Sequence, residues 1–257
     1  MTVETLVLRN CTTLEEFRAC VALQQEVWGF SDAEIVPERI FSLAPKIGGQ
    51  VVGAWEGEIL VGFAMAIPGS RNGHPYLHSH MVAVKKGHRN SGLGRTIKLF
   101  QCEDAIAHGY ELMEWTFDPL EIKNAYFNLE RLGAIARRYN VNQYGITNSP
   151  LQGFLPTDRL VAEWWMTSRR VQTVLSTGHP PAIHAEERVE VPAKIYEWKA
   201  EPAMRSKAAQ IQSRNRELFQ SAFSRWFSCL GYERDLDGNG YFQLGRWDED
   251  WSYAPNS

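Results

Sequence analysis

The stretch that decides the fold is VAVKKGHRNSGLGR, residues 82–95. An apolar run, Val82 to Val84, leads through a glycine-containing turn into an amphipathic helix that starts at Gly92. Glycines let the backbone approach a ligand closely, and the first N–H groups of a helix point outward with the positive end of the helix dipole behind them. Four basic side chains add positive charge, namely Lys85, Lys86, Arg89 and Arg95. The stretch therefore predicts an anion site suited to a pyrophosphate.

Two other phosphate-binding patterns are excluded by the same residues. A P-loop needs Gly-Lys followed by Ser or Thr, and a dinucleotide-binding fingerprint needs a third glycine and an acidic residue farther along the chain. Neither pattern is present. For the motif taken alone, a plain strand-to-helix turn that happens to contain two glycines is the structural alternative.

Hydrophobic periodicity on both sides of this stretch predicts alternating strands and helices. Thr13 and Glu16 form a capping box that starts a helix at Leu14, and Pro37 suits the first position of a second, short helix. Residues 68–75 are rich in turn formers. The expected strands are 6–9, 51–55, 59–67, 76–85, 111–117 and 158–166, and the later helices are 92–108 and 121–132. This order, β-α-α-β-β-β-α-β-α-β, predicts a mixed sheet with a strand-to-helix crossover beside the anion site.

The run Arg89-Asn90-Ser91-Gly92-Leu93-Gly94 resembles the Arg/Gln-x-x-Gly-x-Gly/Ala motif of GNAT acyltransferases, and the element order of residues 1–166 is that of the family. The resemblance implies an α/β (α+β) fold with a mixed, mostly antiparallel central sheet flanked by helices, and it implies acetyl-CoA or another acyl-CoA as co-substrate. It also implies that the strand backbone binds the pantetheine arm and that the loop amides bind the pyrophosphate. The residues so implied are Val82, Ala83, Val84, Arg89, Asn90, Ser91, Gly92, Leu93, Gly94 and Arg95, with Asn124 from the next helix.

Residues 124–133 are similar to the family's helix that ends in a glycine. Aligning Gly133 with that glycine places Leu129 where a tyrosine usually acts as general acid toward the departing thiolate. Tyr126 lies three residues earlier on a neighbouring part of the same helical face, so it is the candidate acid. Its structural alternative is an interfacial aromatic residue whose hydroxyl lies in water.

Three residues are candidates for the general base. Glu114 lies on the strand that, by the resemblance, diverges from the preceding strand around the acyl group. His78 and His80 share one face of that preceding strand, and a histidine with a near-neutral pKa suits proton removal. The alternative for each histidine is a hydrogen-bonded structural group. Because His74, His78 and His80 have no supporting ligands at metal-binding spacing, we expect no metal.

The last third of the chain, residues 167–257, is expected to be an α+β extension that packs on a GNAT domain of residues 1–166. We expect a helix over 167–177, a strand over 189–197, a long helix over 204–230 capped by Gly231, and a terminal hairpin of 232–235 with 241–247. A degenerate second GNAT-like half is the alternative organisation. The apolar stripe of the long helix suits core packing, a wall of the acceptor pocket or a homodimer contact.

Composition limits the partners. The net charge is -3 without long Lys or Arg runs, which argues against nucleic-acid binding, and no apolar run is long enough to span a bilayer. The N-terminus lacks the pattern of a signal peptide, and four scattered cysteines suit reduced, buried thiols, so we expect a cytoplasmic protein. We therefore expect an acyltransferase that moves an acyl group directly from acyl-CoA to an amine or similar nucleophile of a small molecule. A non-catalytic acyl-CoA-binding or sensing protein is the alternative.

Overall fold

The computed structural model describes residues 6–30, 34–146 and 152–247, and the chain forms two compact units, 1–114 and 115–257. The division lies within one strand, Leu112–Phe117. It differs from the boundary expected near residue 167, and the assignment of 1–166 to the GNAT domain and of 167–257 to an extension stays a prediction.

The first unit contains a mixed, mostly antiparallel sheet with helices on both faces. Thr13 caps the first helix as expected, because its hydroxyl accepts from Glu16 N–H while the Glu16 carboxylate accepts from Thr13 N–H. The elements are β1 (Leu6–Asn10), α1 (Leu14–Trp28), α2 (Glu38–Leu43), β2 (Gln50–Glu56), β3 (Ile59–Arg71), β4 (His74–Val84), α3 (Leu93–Ala107) and β5 (Leu112–Phe117), with short 3-10 turns at 44–47 and 86–88.

Strands β1 to β4 pair antiparallel in chain order, and β4 pairs with β5 in parallel at Leu77 with Met113 and His78 with Glu114. The expected turn at 68–75 is wrong. Strand β3 continues to Arg71, so only Asn72 and Gly73, with φ of 51° and 81°, form the turn. Asn-Gly is the preferred sequence of such a two-residue hairpin because both positions need positive φ.

Two apolar clusters cover the two faces of this first sheet. Phe17 of α1 and Phe41 of α2 pack with Phe63 on one face, whereas Leu93 and Ile97 of α3 pack on the other. The four cysteines, Cys11, Cys20, Cys102 and Cys229, are all buried thiols, which confirms that expectation.

The second unit contains an antiparallel sheet in the order β7-β6-β9-β10-β8. A helix after β5 changes to π-helical hydrogen bonding, seen in the bond from Leu132 N–H to the Phe127 carbonyl. The elements are α4 (Ile122–Tyr126), the π-helical turn Phe127–Arg131, β6 (Ile135–Asn140), β7 (Arg159–Trp165), α5 (Arg169–Thr177), β8 (Glu187–Val191), α6 (Ile195–Ala200), α7 (Arg205–Ser224), β9 (Phe227–Arg234) and β10 (Gly240–Arg246).

Three expectations for this unit are wrong. Strand β6 was not expected at all. The strand expected over 189–197 ends at Val191, because Pro192 cannot donate to a ladder, and helix α6 follows. The helix expected over 204–230 ends at Ser224, and Trp226 with φ 64° turns the chain into β9, where Gly231 is a strand residue. The helix over 167–177 and the terminal hairpin are confirmed.

Buried ion pairs join distant parts of the second unit. Lys199 Nζ of α6 lies 3.0 Å from Asp118 Oδ2 and 3.0 Å from Glu121 Oε1, in the connection between β5 and α4. Although burial of Lys199 acts in the opposite direction, these two carboxylates raise its pKa. Asp158 is fully buried and accepts from the Tyr139 hydroxyl and from the Arg216 guanidinium of α7.

Candidate functional site

The predicted anion loop forms a defined turn between β4 and α3. Asn90 and Gly92 have φ of 63° and 90°, a conformation that asparagine and glycine tolerate best. The Ser91 hydroxyl donates to the His88 carbonyl at 2.7 Å, and Arg89 Nε donates to the Val84 carbonyl at 3.2 Å. These side-chain contacts hold the loop against the end of β4, so the expected phosphate-binding segment has a fixed shape.

The first amides of α3 are available to a ligand. Leu93 N–H donates to the Ser91 hydroxyl at 3.4 Å, and the N–H groups of Arg95 and Thr96 donate to the Gly92 carbonyl at 2.9 and 3.1 Å. Within residues 6–30, 34–146 and 152–247, the amides of Gly92 and Gly94 have no protein acceptor. Unpaired amides at the positive end of a helix are the groups that bind phosphate.

Glycine at position 94 leaves the surface of α3 open beside the loop. A Cβ added there would meet only Val84 Cγ2, at 3.9 Å, and one added at Gly92 or Gly87 would meet nothing within 4 Å. Position 92 differs from position 94 because its positive φ strains any residue with a side chain. A side chain at Gly94 is therefore compatible with the fold but would occupy the space in front of the amides.

Strand β4 presents an irregular edge near the loop. Met65 of β3 pairs with Met81 and Ala66 pairs with Ser79, so His80 is the additional residue of a β-bulge. Such bulges re-aim side chains and are common next to active sites. Within the first unit, β5 pairs with β4 only at Leu77 and His78, so the predicted pantetheine-binding residues Val82, Ala83 and Val84 lie beyond that ladder.

Glu114, one of the candidate bases, is buried in an ion pair. Its side chain is 2% exposed, and its two oxygens lie 2.5 Å from the two terminal nitrogens of Arg71. The Arg71 guanidinium also lies over the Tyr76 ring, 5.0 Å from its centroid. Both carboxylate oxygens of Glu114 are therefore engaged by one guanidinium. Arg71 was missed from the sequence, since it falls in the segment that was expected to be a turn.

His78 and His80 lie together on β4, with ring centroids 6.3 Å apart. Much of the His80 side chain is open to solvent, yet the surrounding protein withdraws water from its ring and lowers the pKa of His80 below its ordinary value. A lowered pKa keeps the imidazole neutral at pH 7, which is the form that accepts a proton. His78 is half-buried and pairs with Glu114 in the β4–β5 ladder.

A buried lysine lies beneath this strand. Lys98 of α3 is 3% exposed, and its Nζ lies 3.0 Å from Ser79 Oγ and 3.1 Å from Gln101 Oε1. Burial lowers the pKa of Lys98 to about 7 from its usual 10.5. Between these two values the unfolded chain binds a proton that the folded chain does not, so the contribution of Lys98 to stability rises with pH across this window.

We expect Lys98→Met to stabilise the protein most at pH 6, where folding must otherwise bury a charged amine. The advantage over the parent should shrink steadily as the pH rises from about 7 to about 10. Urea unfolding of both proteins at several pH values measures this difference. Lys123→Met removes an exposed lysine and should give a pH-independent difference, and a constant difference for Lys98→Met as well would contradict the assignment.

The remaining predicted residues lie on α4 in the second unit. Asn124 and Tyr126 are exposed, the latter at 37%, whereas Leu129 is fully buried in the π-helical turn. Asn128 of that turn is 3% exposed, and its Oδ1 accepts from Trp115 Nε1 at 3.2 Å. The position aligned with the usual acid therefore faces the core, and Tyr126 is the residue of this helix that presents a hydroxyl at the surface.

The described ranges of the chain contain no group of three or more His, Cys, Asp or Glu side chains that could hold a metal ion. They also include no helix with the length and hydrophobicity needed to cross a membrane.

Comparison with known proteins identifies a family for part of the chain. A family model described as Acetyltransferase (GNAT) family matches residues 15–133. No curated protein matches the sequence.

Three solved structures illustrate the likeness in fold. The ribosomal-protein-S18-alanine N-acetyltransferase of Escherichia coli has 13% identity and a TM-score of 0.51, covering 64% of this chain and 96% of its own. An N-acetyltransferase from Staphylococcus aureus Mu50 has 15% identity and a TM-score of 0.50, covering 63% and 99%. Arabidopsis thaliana NAA60, in complex with acetyl-CoA, has 10% identity and a TM-score of 0.51, also covering 63% and 99%.

The matched segment contains both the anion loop and the edge of β4, and the mixed, mostly antiparallel sheet is the one that the resemblance implied. Acyl transfer from acyl-CoA is the reaction of this class. The chain therefore contains a GNAT acetyltransferase domain, which the family model matches over residues 15–133.

Proposed function

We propose that the protein binds acetyl-CoA or a similar acyl-CoA at the loop 89–95 and transfers the acyl group directly to an amine of a small molecule. The observation that carries the proposal is the pair of unpaired amides, Gly92 and Gly94, at the start of α3. They suit the pyrophosphate, while the edge of β4 at Val82 to Val84, which lies beyond the two β4–β5 pairs, suits the amide groups of pantetheine.

The transfer needs a neutral amine. Its nitrogen attacks the thioester carbonyl carbon, and the proton that the nitrogen loses passes to a base. The tetrahedral intermediate then collapses by breaking the carbon–sulfur bond, so the sulfur leaves with the electron pair as the CoA thiolate. The products are an N-acylated acceptor and CoA.

We assign the base to His80. Its neutral imidazole is accessible, and the β-bulge sets it apart from the regular ladder. Glu114 is engaged by Arg71, so its proposed role is to hold Arg71 and the end of β3 in place. Tyr126 stays the proposed donor to the thiolate, although a thiolate can also leave unprotonated.

The burial of Leu129 favours a second candidate function. A protein that lacks the usual tyrosine at this position could bind acyl-CoA without transferring the acyl group. Titration calorimetry with acetyl-CoA and a thiol-release assay with a panel of small amines separate the two. Binding with thiol release supports the transferase, binding without thiol release for any amine or peptide N-terminus supports the binding protein, and no binding below 1 mM rejects both.

We expect His80→Gln to lower kcat about 100-fold while leaving the KM for acetyl-CoA nearly unchanged, because general-base catalysis contributes about 10²–10⁴-fold. The acid limb of the pH–rate profile should also disappear. His108→Gln changes an exposed histidine at the end of α3 and is the matched control. An unchanged kcat and pH profile for His80→Gln would move the base elsewhere.

A further inference from the structure

A cationic cavity lies wholly within the 115–257 unit, and its volume is about 230 Å³. Its wall includes Arg169 and Arg170 at the start of α5, His184 in the connection before β8, and Arg246 at the end of β10. Because typical pockets for drug-sized ligands measure about 300–1,000 Å³, this cavity suits a smaller molecule.

The wall of the cavity is formed by close backbone packing. The segment before β8 lies against two glycines of the β9–β10 hairpin. A Cβ at Gly231 would lie 2.7 Å from Ile183 Cδ1, and one at Gly245 would lie 2.6 Å from the His184 carbonyl oxygen. In addition, Glu186 N–H donates to the Leu244 carbonyl at 2.8 Å. The cavity is therefore a built feature of the fold.

The charge of the wall is mainly positive. Among the residues that the structure describes, the lining contains three arginines and one carboxylate, Glu186, which lies 4.0 Å from the exposed Arg246 guanidinium. Arg170 is 3% exposed and is fixed by hydrogen bonds to the Leu129 and Gly133 carbonyls, each 3.0 Å long.

The placement of Arg169 and Arg170 runs against local helix preferences. They occupy the first turn of α5, which contains no acidic residue, whereas cations are unfavourable at the positive end of a helix dipole. Violations of a local rule are typical of functional positions. A bound anion would compensate for the Arg169 guanidinium and the helix dipole, whereas the charge of Arg170 already acts on Glu130, where it opposes the rise in pKa that burial causes.

The wall also supplies a hydrogen-bond donor that needs an acceptor. Trp247 Nε1 is buried and has no partner in the described part of the chain. Indole nitrogen only donates, and guanidinium groups donate in a fork that matches carboxylate and phosphate oxygens. The cavity wall thus has more hydrogen-bond donors than acceptors, and a ligand that complements it is rich in acceptor oxygens.

We propose that this arginine cavity binds a small anion that carries carboxylate or phosphate groups, at a site separate from the acyl-CoA loop. Arg169 and Arg246 contact the ligand as exposed guanidinium groups, and Trp247 Nε1 donates to one of its oxygens. Arg170 supplies fixed charge from the floor of the cavity.

Titration calorimetry of the full chain with inorganic phosphate and, separately, with citrate tests the proposal. Saturating CoA is present in both titrations to occupy the loop 89–95, so that phosphate or citrate does not bind there. We expect binding of at least one anion at sub-millimolar concentration, and the stronger of the two identifies phosphate or carboxylate chemistry. No binding of either anion below 5 mM would overturn the proposal.

Variants locate the site. Arg169→Ala/Arg246→Ala should weaken binding at least tenfold with an unchanged melting temperature, since both side chains are exposed. Arg188→Ala/Arg234→Ala removes the same charge from exposed positions on β8 and β9 and should bind as the parent does. Equal weakening in the two double variants would show that only overall charge matters, and retained affinity in the first would place the anion elsewhere.

Discussion

Replacing Gly94 with glutamate should abolish acetyl-CoA binding, with at least a 100-fold rise in Kd, while the protein stays folded. The fold tolerates a Cβ at this position, since its nearest neighbour would be Val84 Cγ2 at 3.9 Å. A carboxylate placed there would compete with the pyrophosphate for the helix amides and repel its charge. A 100-fold change corresponds to about 2.8 kcal/mol of binding free energy. Titration calorimetry and a thermal melt measure the two properties.

The matched control is Ala107→Glu, which adds the same side chain to an exposed position at the other end of α3. It should bind acetyl-CoA as the parent does. Gly92→Glu should also lose binding, but its positive φ adds backbone strain, so a fall in melting temperature is expected there. Normal affinity in Gly94→Glu would place the pyrophosphate site outside this loop.

Replacing Arg71 with methionine should destabilise the protein by about 3–5 kcal/mol, because it leaves the buried Glu114 carboxylate without its guanidinium partner. The double variant Arg71→Met/Glu114→Gln should recover a large part of this loss, since position 114 then carries no charge that needs the guanidinium. Urea unfolding of the parent, both single variants and the double variant gives the coupling energy between the two residues.

Arg18→Met is the control for the substitution itself. Arg18 pairs with Glu38 at 3.0 Å, but its side chain is 59% exposed, so its loss should cost less than about 1 kcal/mol. If Arg71→Met is equally mild, or if the double variant is no more stable than the Arg71 single variant, the pair does not stabilise this region as the geometry indicates.

The sequence predicted the helices and turns of the first unit better than the elements of the second unit. Glycine, a capping box and a strand-to-helix transition are local signals, so the loop 89–95 and the helices α1 and α3 could be located from neighbouring residues alone. The Asn72-Gly73 hairpin was equally local, and its sequence signature was available. Because this hairpin was not predicted, the predicted strand β3 ended too early, and Arg71 was assigned to a turn.

Other features depend on residues that are distant in sequence. Phe227 and Leu230 continue the apolar stripe of a helix, yet they lie in β9 because that strand pairs with β10 and β6. The bidentate contact of Arg71 with Glu114 joins residues 43 positions apart. Hydrophobic periodicity carries no information on such pairings. The choice of His80 among the three candidate bases therefore required the contacts that the structure shows.

The ion pairs of Lys199 with Asp118 and of Arg216 with Asp158 have a consequence for truncated forms of the protein. Each buried carboxylate lies before residue 167, and each cation lies after it. A premature stop codon near position 167 would therefore leave two buried carboxylates without these cationic partners. The shortened protein should then aggregate or be degraded. The last third of the chain is therefore needed to neutralise carboxylates that the preceding part buries.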